Sequence, residues 1–219
     1  MPSPLRLGVL ASGEGTTLDG LASAITGDSN SLQIQLVIAD RRGVPAIERA
    51  RRHGLATTLV PYDETDVEGW SRRLTDELES HRVDLVVLAG FLPILPSSWI
   101  ERWRGRAINL HPSLLPRYGG RGMYGRRVHA AVLAAGDTET GATVHLVTDA
   151  VDAGPTVAQQ RMAVVPGDSP ESLRERLRPV EIALLVATLR RFADGSIPLP
   201  YPGGDDRARD RPAEPALRE

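Results

Sequence analysis

One stretch limits the possible folds more than any other: Val83-Asp84-Leu85-Val86-Val87-Leu88-Ala89-Gly90-Phe91. A near-continuous apolar run of this kind suits a strand covered on both faces, which means a central strand of a parallel sheet. Parallel neighbours need crossover connections, so helices must lie between the strands and on both sides of the sheet. The remaining chain supplies them in alternation. Leu5 to Ala11, Leu32 to Asp40, Ala56 to Pro61 and Ala107 to His111 read as strands. Helices are predicted over Leu18 to Ile25, Val44 to Gly54, Val67 to His81 and Ser97 to Trp103. Trp70, Leu74 and Leu78 recur at four-residue spacing, which makes them core.

The second half differs. A helix is expected from about Val128 to Ala135, followed by strands at Gly141 to Val147 and Pro155 to Val165. Ser169 and Pro170 then form a helix start, with Ser at the cap and Pro in the first turn, and this helix can run towards Arg191 with Pro179 kinking it. The fold expected is therefore α/β: a Rossmann-like, mostly parallel sheet flanked by helices, with added antiparallel strands. Residues 1–202 are expected to form one domain. The segment 203–219 is charged and proline-bearing without an apolar stripe, the composition of a disordered tail.

The bulk chemistry excludes several functions. No cysteine is present, which removes disulfides, thiolate catalysis and Cys-ligated metal sites. With 26 basic against 28 acidic residues, the formal net charge of -2 offers no global field for nucleic acid or an anionic membrane. No apolar run reaches bilayer length and the first residues lack a signal-peptide core, so a cytoplasmic protein is expected, as monomer or homodimer. No metal is expected. What remains is His, carboxylate, hydroxyl and amide chemistry acting on small molecules.

Asn109 and His111 alternate at the end of the Ala107 to His111 strand, so their side chains leave on one face, and Pro112 ends the strand just beyond them. Open α/β sheets keep their sites at such carboxyl ends. A hydrogen-bonded structural pair would have the same spacing. Ser12-Gly13-Glu14-Gly15-Thr16-Thr17 sits between the first strand and first helix, where free N–H groups and the helix dipole favour an anion. A plain tight turn would read the same, and the dinucleotide fingerprint fails because Leu18 stands at its third glycine. Asp40, at the end of the second strand, keeps a nicotinamide enzyme as an alternative. Arg49, Arg51 and Arg52 read as a solvated helix face. The stretch from Arg117 to Arg127, rich in glycine and arginine, reads as a loop over the cleft, since it has no cationic stripe to track nucleic acid. Asp149 to Gly154 has the length of a binding loop, with His145 supporting it.

Several of these segments together resemble a known family. Asn109-Leu110-His111-Pro112-Ser113-Leu114-Leu115-Pro116, with Val86 to Phe91 before it and Thr148 to Pro155 after it, closely resembles the folate-dependent formyltransferases. The similarity spans roughly Leu5 to Ile197 in one order. It is greatest to the members that carry a formyl group from 10-formyltetrahydrofolate to the amine of glycinamide ribonucleotide in purine biosynthesis. The resemblance implies Asn109, His111 and Asp152 as the catalytic group. Asn109 would donate to the developing oxyanion, and Asp152 would hold His111 charged, raising its pKa above about 6.5. It implies Gly13, Glu14, Gly15, Thr16 and Thr17 as the seat of the ribose phosphate, Glu181 on the amine side, and Leu92, Pro93, Ile94, Leu95 and Asn109 at the folate. Glu14 and Thr17 stand where the family more often has asparagine and serine, and Pro93 where it commonly has arginine. A formyltetrahydrofolate hydrolase, a formyltransferase acting on another amine and a non-enzymatic binding protein with the same fold are the alternatives.

Overall fold

A computed structural model describes residues 3–26 and 31–202. The expected disordered tail lies outside the described residues. Seven strands form one sheet in the order β3-β2-β1-β4-β5-β6-β7. They are β1 (Leu5–Ala11), β2 (Leu32–Ala39), β3 (Thr57–Leu59), β4 (Leu85–Leu88), β5 (Ala107–His111), β6 (Glu139–Leu146) and β7 (Thr156–Ala163). β1 lies between β2 and β4, and both pairings are parallel, as are β2 with β3 and β4 with β5. β6 runs antiparallel to β5, and β7 antiparallel to β6.

The alternation of side chains along the central strands produces two cores. Leu7 and Val9 of β1, with Leu85 and Val87 of β4, enter one apolar cluster, while Leu10, Val86 and Leu88 enter the other. The first face is covered by α1 (Thr16–Ile25), α2 (Pro45–Arg52) and α6 (Pro170–Ala193). The second is covered by α3 (Val67–Ser80) and α4 (Ser97–Arg102), which contribute Trp70, Leu74, Leu78, Trp99 and Ile100, with Trp103 just beyond α4. Gly8 has a packing reason to lack a side chain: a Cβ there would lie 2.5 Å from Leu78 Cδ2.

Local signals explain where elements begin and end. Asp66 caps α3 by accepting from the Gly69 N–H at 2.8 Å. Ser169 caps α6 through a reciprocal box with Ser172, and Pro179 lies inside a helix that continues to Ala193. Several boundaries differ from the sequence expectation by one to three residues, β4 and α5 among them. β4 is shorter than the apolar run, because its register with β1 spans only Leu85 to Leu88, although Asp84 N–H and Ala89 N–H still donate to Arg6 and Leu10 carbonyls. α5 (Arg126–Ala134) starts before Val128, immediately after Gly125 at φ 55°. Among the described residues no helix is long and apolar enough to cross a membrane.

Leu74→Ala tests the second core. It should lower unfolding stability by about 2–5 kcal/mol, the usual cost of truncating a fully buried leucine. A urea-unfolding loss below about 1 kcal/mol would show that α3 is not part of the cooperative core.

Candidate active site

β1, β4 and β5 end along one edge of the sheet, and a cleft of about 660 Å³ opens there. Its walls come from the glycine loop after β1, the segment after β4, the end of β5, the Gly120–Gly125 stretch, the turn after β6, and α6. Asn109, His111 and Asp152, drawn from two elements far apart in sequence, share this lining.

The three polar side chains meet around the Asp152 carboxylate. Asn109 Nδ2 donates to Asp152 Oδ1 at 3.3 Å and to His145 Nε2 at 3.1 Å. The Gly120 N–H donates to Asp152 Oδ2 at 3.0 Å, and His111 Nδ1 lies 3.5 Å from the same oxygen. His111 Nε2 donates to the Tyr118 carbonyl at 2.8 Å. A carbonyl can only accept, so Nε2 holds its hydrogen in both charge states, and any further proton must enter at Nδ1, facing Asp152. His145 Nδ1 similarly donates to the Leu146 carbonyl at 2.9 Å, leaving Nε2 bare towards Asn109. His145, only 2% exposed, thus supports the cluster from behind, as expected of a residue under this turn. Asp152 is held at φ 54°, a positive value that aims its side chain back at β5.

One expectation needs correction here. The His111 pKa is not raised: burial pushes it below the ordinary 6.5, and this outweighs the Asp152 charge that pulls it up. The sequence shows that an acid accompanies this imidazole but not how little water reaches it, and His111 is only 3% exposed. Neutral His111 therefore stabilises the fold above the unfolded pKa of about 6.5, and that contribution falls away as pH drops below it. The Asn109 amide faces Asp152 and His145. For Asp152 itself, burial pushes the carboxyl up, but the proximity of His145 and His111 and the Gly120 N–H bond together hold it below its usual range.

The other expected residues divide. Gly13, Glu14, Gly15, Thr16 and Thr17 all line the cleft, as does Glu181. Gly15 has φ 71°, and a Cβ there would fall 2.5 Å from the Ala46 Cα, so both conformation and space require glycine. After β4, Ala89 to Leu92 and then Ile94 line the cleft, with Leu92 and Ile94 43% and 44% exposed. Pro93 is not among its walls, and Leu95 turns into the second core at 6% exposure. Asp40 is 5% exposed and outside the cleft, so it is not placed to hold a ribose there. Ser12 joins two of the walls, because its Oγ accepts from the Leu92 N–H at 2.9 Å.

This geometry coincides with a family assignment. The formyl transferase profile matches residues 5–189. The chain belongs to the formyl transferase family. It is 34% identical over 194 residues to the phosphoribosylglycinamide formyltransferase of Escherichia coli, covering 88% of this chain and 89% of that one. It is 36% identical to the trifunctional purine biosynthetic protein adenosine-3 of Drosophila pseudoobscura pseudoobscura, covering 88% of this chain but only 14% of that much longer protein. Among solved structures, the phosphoribosylglycinamide formyltransferase of Coxiella burnetii superposes with a TM-score of 0.81 at 36% identity, covering 88% of each chain. A formyltetrahydrofolate deformylase from Pseudomonas syringae superposes at 0.79 with 28% identity, covering 90% of this chain and 63% of its own.

Within this formyl transferase cleft the structure adds residues that sequence reasoning missed. Arg174 and Arg178 line it beside Glu181, at i, i+4 and i+7 on one face of α6. That helical spacing was a readable signal. Burial drives the Glu181 pKa up to about 7 despite the two nearby arginines. His129 of α5 also lines the cleft, 2% exposed, with Nδ1 shut off from solvent and unpartnered among the described residues. Burial first, then Arg174 and His111, push its pKa down to about 4. Only the folded chain brings it to the cleft, since its sequence neighbours are ordinary helix residues.

In an imidazole proton NMR titration, the His111 midpoint should fall below 6.5. Asp152→Asn, which removes the favourable charge, should lower it further. A midpoint above 6.5 in the wild type would show that the carboxylate wins over burial.

Proposed function

We propose that the protein transfers the formyl group of 10-formyltetrahydrofolate to the amine of glycinamide ribonucleotide. The observation that carries this reading is the convergence of Asn109, His111 and Asp152 beside an anion seat in one cleft. Similarity to phosphoribosylglycinamide formyltransferases along nearly their whole length supports the acceptor assignment. In this reading Gly13 to Thr17 hold the ribose phosphate, Glu181 receives the amine, and Leu92 and Ile94 cover the folate ring system.

The reaction needs few parts. The acceptor amine adds to the formyl carbon, the carbonyl becomes an oxyanion, a proton leaves the attacking nitrogen and one reaches the folate nitrogen, and the old C–N bond then breaks. Donors at the oxygen and a proton path satisfy those demands. His111 accepts a proton at Nδ1, where Asp152 is ready to stabilise the cation. Once Asp152 is engaged by that cation, its 3.3 Å bond from Asn109 is the weaker partner, and the amide hydrogen can turn to the oxyanion. The low starting pKa of His111 keeps it neutral, as a proton acceptor, until charge develops.

The deformylase reading stays in view because such a protein shares the fold at a TM-score of 0.79. Absorbance at the wavelength of deformylated folate separates the two. Product that forms only when glycinamide ribonucleotide is present supports transfer, whereas product formed without it supports hydrolysis. In the same assay Asp152→Asn should lower kcat by a factor on the order of 10² to 10⁴, with smaller changes in either KM.

Glu181 supplies a pH test. Its folded pKa of about 7 means that the carboxylate able to hold a substrate ammonium appears as pH rises through neutrality. The KM for the ribonucleotide should fall across that interval in the wild type. Glu181→Gln should remove the slope and raise the KM above it; an unchanged slope would assign the titration elsewhere.

A further inference from the structure

The glycine loop after β1 is held by its carbonyl oxygens. The Ser12 carbonyl accepts from the Arg41 guanidinium, the Gly13 carbonyl from the Ala46 N–H at 3.2 Å, and the Glu14 carbonyl from Arg49 Nε at 2.7 Å. All these donors belong to α2 or the turn before it, and none of them lines the cleft. In a trans peptide the C=O and the following N–H point in opposite directions. Drawing the carbonyls of Ser12, Gly13 and Glu14 towards α2 therefore turns the N–H groups of Gly13, Glu14 and Gly15 away from it. Among the described residues, nothing accepts from those N–H groups or from those of Thr16 and Thr17, while all five residues line the cleft. Successive free N–H groups around a positive-φ glycine make a concave seat for an anion.

Arg49 is itself fixed in place. Its Nη1 donates to Asp19 Oδ2 at 3.0 Å, and Asp19 Oδ1 lies 2.9 Å from His53 Nε2. The Asp19 carboxyl is held below its usual range, chiefly by the His53 hydrogen bond and further by Arg49. The sequence reading of Arg49 as part of a solvated face is corrected by these contacts: its side chain is 28% exposed and spans α1, α2 and the loop. Arg51 and Arg52 are exposed, as expected.

We propose that Arg49, assisted by Arg41, is a positioning residue for phosphate binding: anchored on Asp19, it turns the Glu14–Gly15 peptide so that its N–H faces the ligand. The arginine charge is neutralised by Asp19, so the anion meets oriented peptide dipoles. This accounts for how a loop with Glu14 and Thr17 can serve as a phosphate seat without its side chains contributing. The inference rests on the reading of Gly13 to Thr17 as that seat.

The test uses the full chain, with steady-state kinetics in both substrates and inorganic phosphate as a competitor of the ribonucleotide. Arg49→Met should raise the KM for the ribonucleotide on the order of tenfold, the weight of one charge-assisted hydrogen bond. The inhibition constant of phosphate should weaken by a similar factor, while kcat and the KM for the folate stay within about twofold. Arg49→Lys, which keeps one donor, should recover part of the loss. An equal rise in both KM values, or no rise in either, would overturn the proposal. If Arg49→Met fails to fold by thermal melting, Arg41→Met, which removes the Ser12 anchor alone, should show a smaller split of the same sign, and the absence of any split counts against it. Gly15→Val distinguishes the two levels of the argument. If it raises the ribonucleotide KM while Arg49→Met does not, the loop binds phosphate but Arg49 does not position it. If neither variant affects that KM, the phosphate reading itself fails.

Discussion

The constraint on which the rest depends is the burial of β1 and β4 on both faces. Leu7, Val9, Val87 and Leu85 fill one core, and Leu10, Val86 and Leu88 the other, so neither strand can tolerate solvent on either side. Parallel neighbours and covering helices are the physical answer, and parallel strands all end on the same edge. The glycine loop, the Leu92 segment and the Asn109–His111 pair are therefore brought together by the demand for burial, before any question of ligand arises. Antiparallel β6 ends opposite Ile108, at the start of β5, and the turn after it folds back along β5 so that Asp152 reaches the Asn109–His111 pair.

Within the cleft, burial and charge compete, and the result differs from residue to residue. Asp152 keeps a low pKa because its partners outweigh its burial, whereas His111 and His129 lose that contest and Glu181 is raised to about 7. Glu181, which would be fully charged in water at neutral pH, is left near its midpoint, and the two imidazoles are held neutral. That suits amine-to-amine formyl transfer, in which protons must be taken up and released without either state being strongly preferred. In the proposed mechanism an imidazole locked as a cation by its carboxylate would be a donor only, whereas neutral His111 can first accept a proton at Nδ1.

The same fold also appears in a formyltetrahydrofolate deformylase, so the architecture alone does not choose the nucleophile. The choice lies in what lines the acceptor half of the cleft. In the proposed reading that half is lined by Gly13 to Thr17, Arg174, Arg178 and Glu181, a set that suits a substrate carrying both phosphate and amine. In the proposed reading Leu92 and Ile94, apolar and partly exposed, cover the folate on the other half. Pro93 points to neither.

The amino-acid order by itself determined the strands, the helices and their sequence, because period, glycine, proline and capping residues act over a few positions: Ser169 caps the helix that Pro170 opens, and Trp70, Leu74 and Leu78 are buried as their spacing requires. It also marked Asn109 and His111 as a pair, since alternation along a strand is local geometry. The tertiary structure alone decided which way the buried groups titrate, that the Asn109 amide faces Asp152 and His145, that Leu95 leaves the cleft while Leu92 and Ile94 stay, that Arg49 ties back a loop 35 positions away, and that His129 faces the site. Each of these depends on how much water remains and on which distant atom stands opposite, quantities that belong to the packed chain and have no local signature.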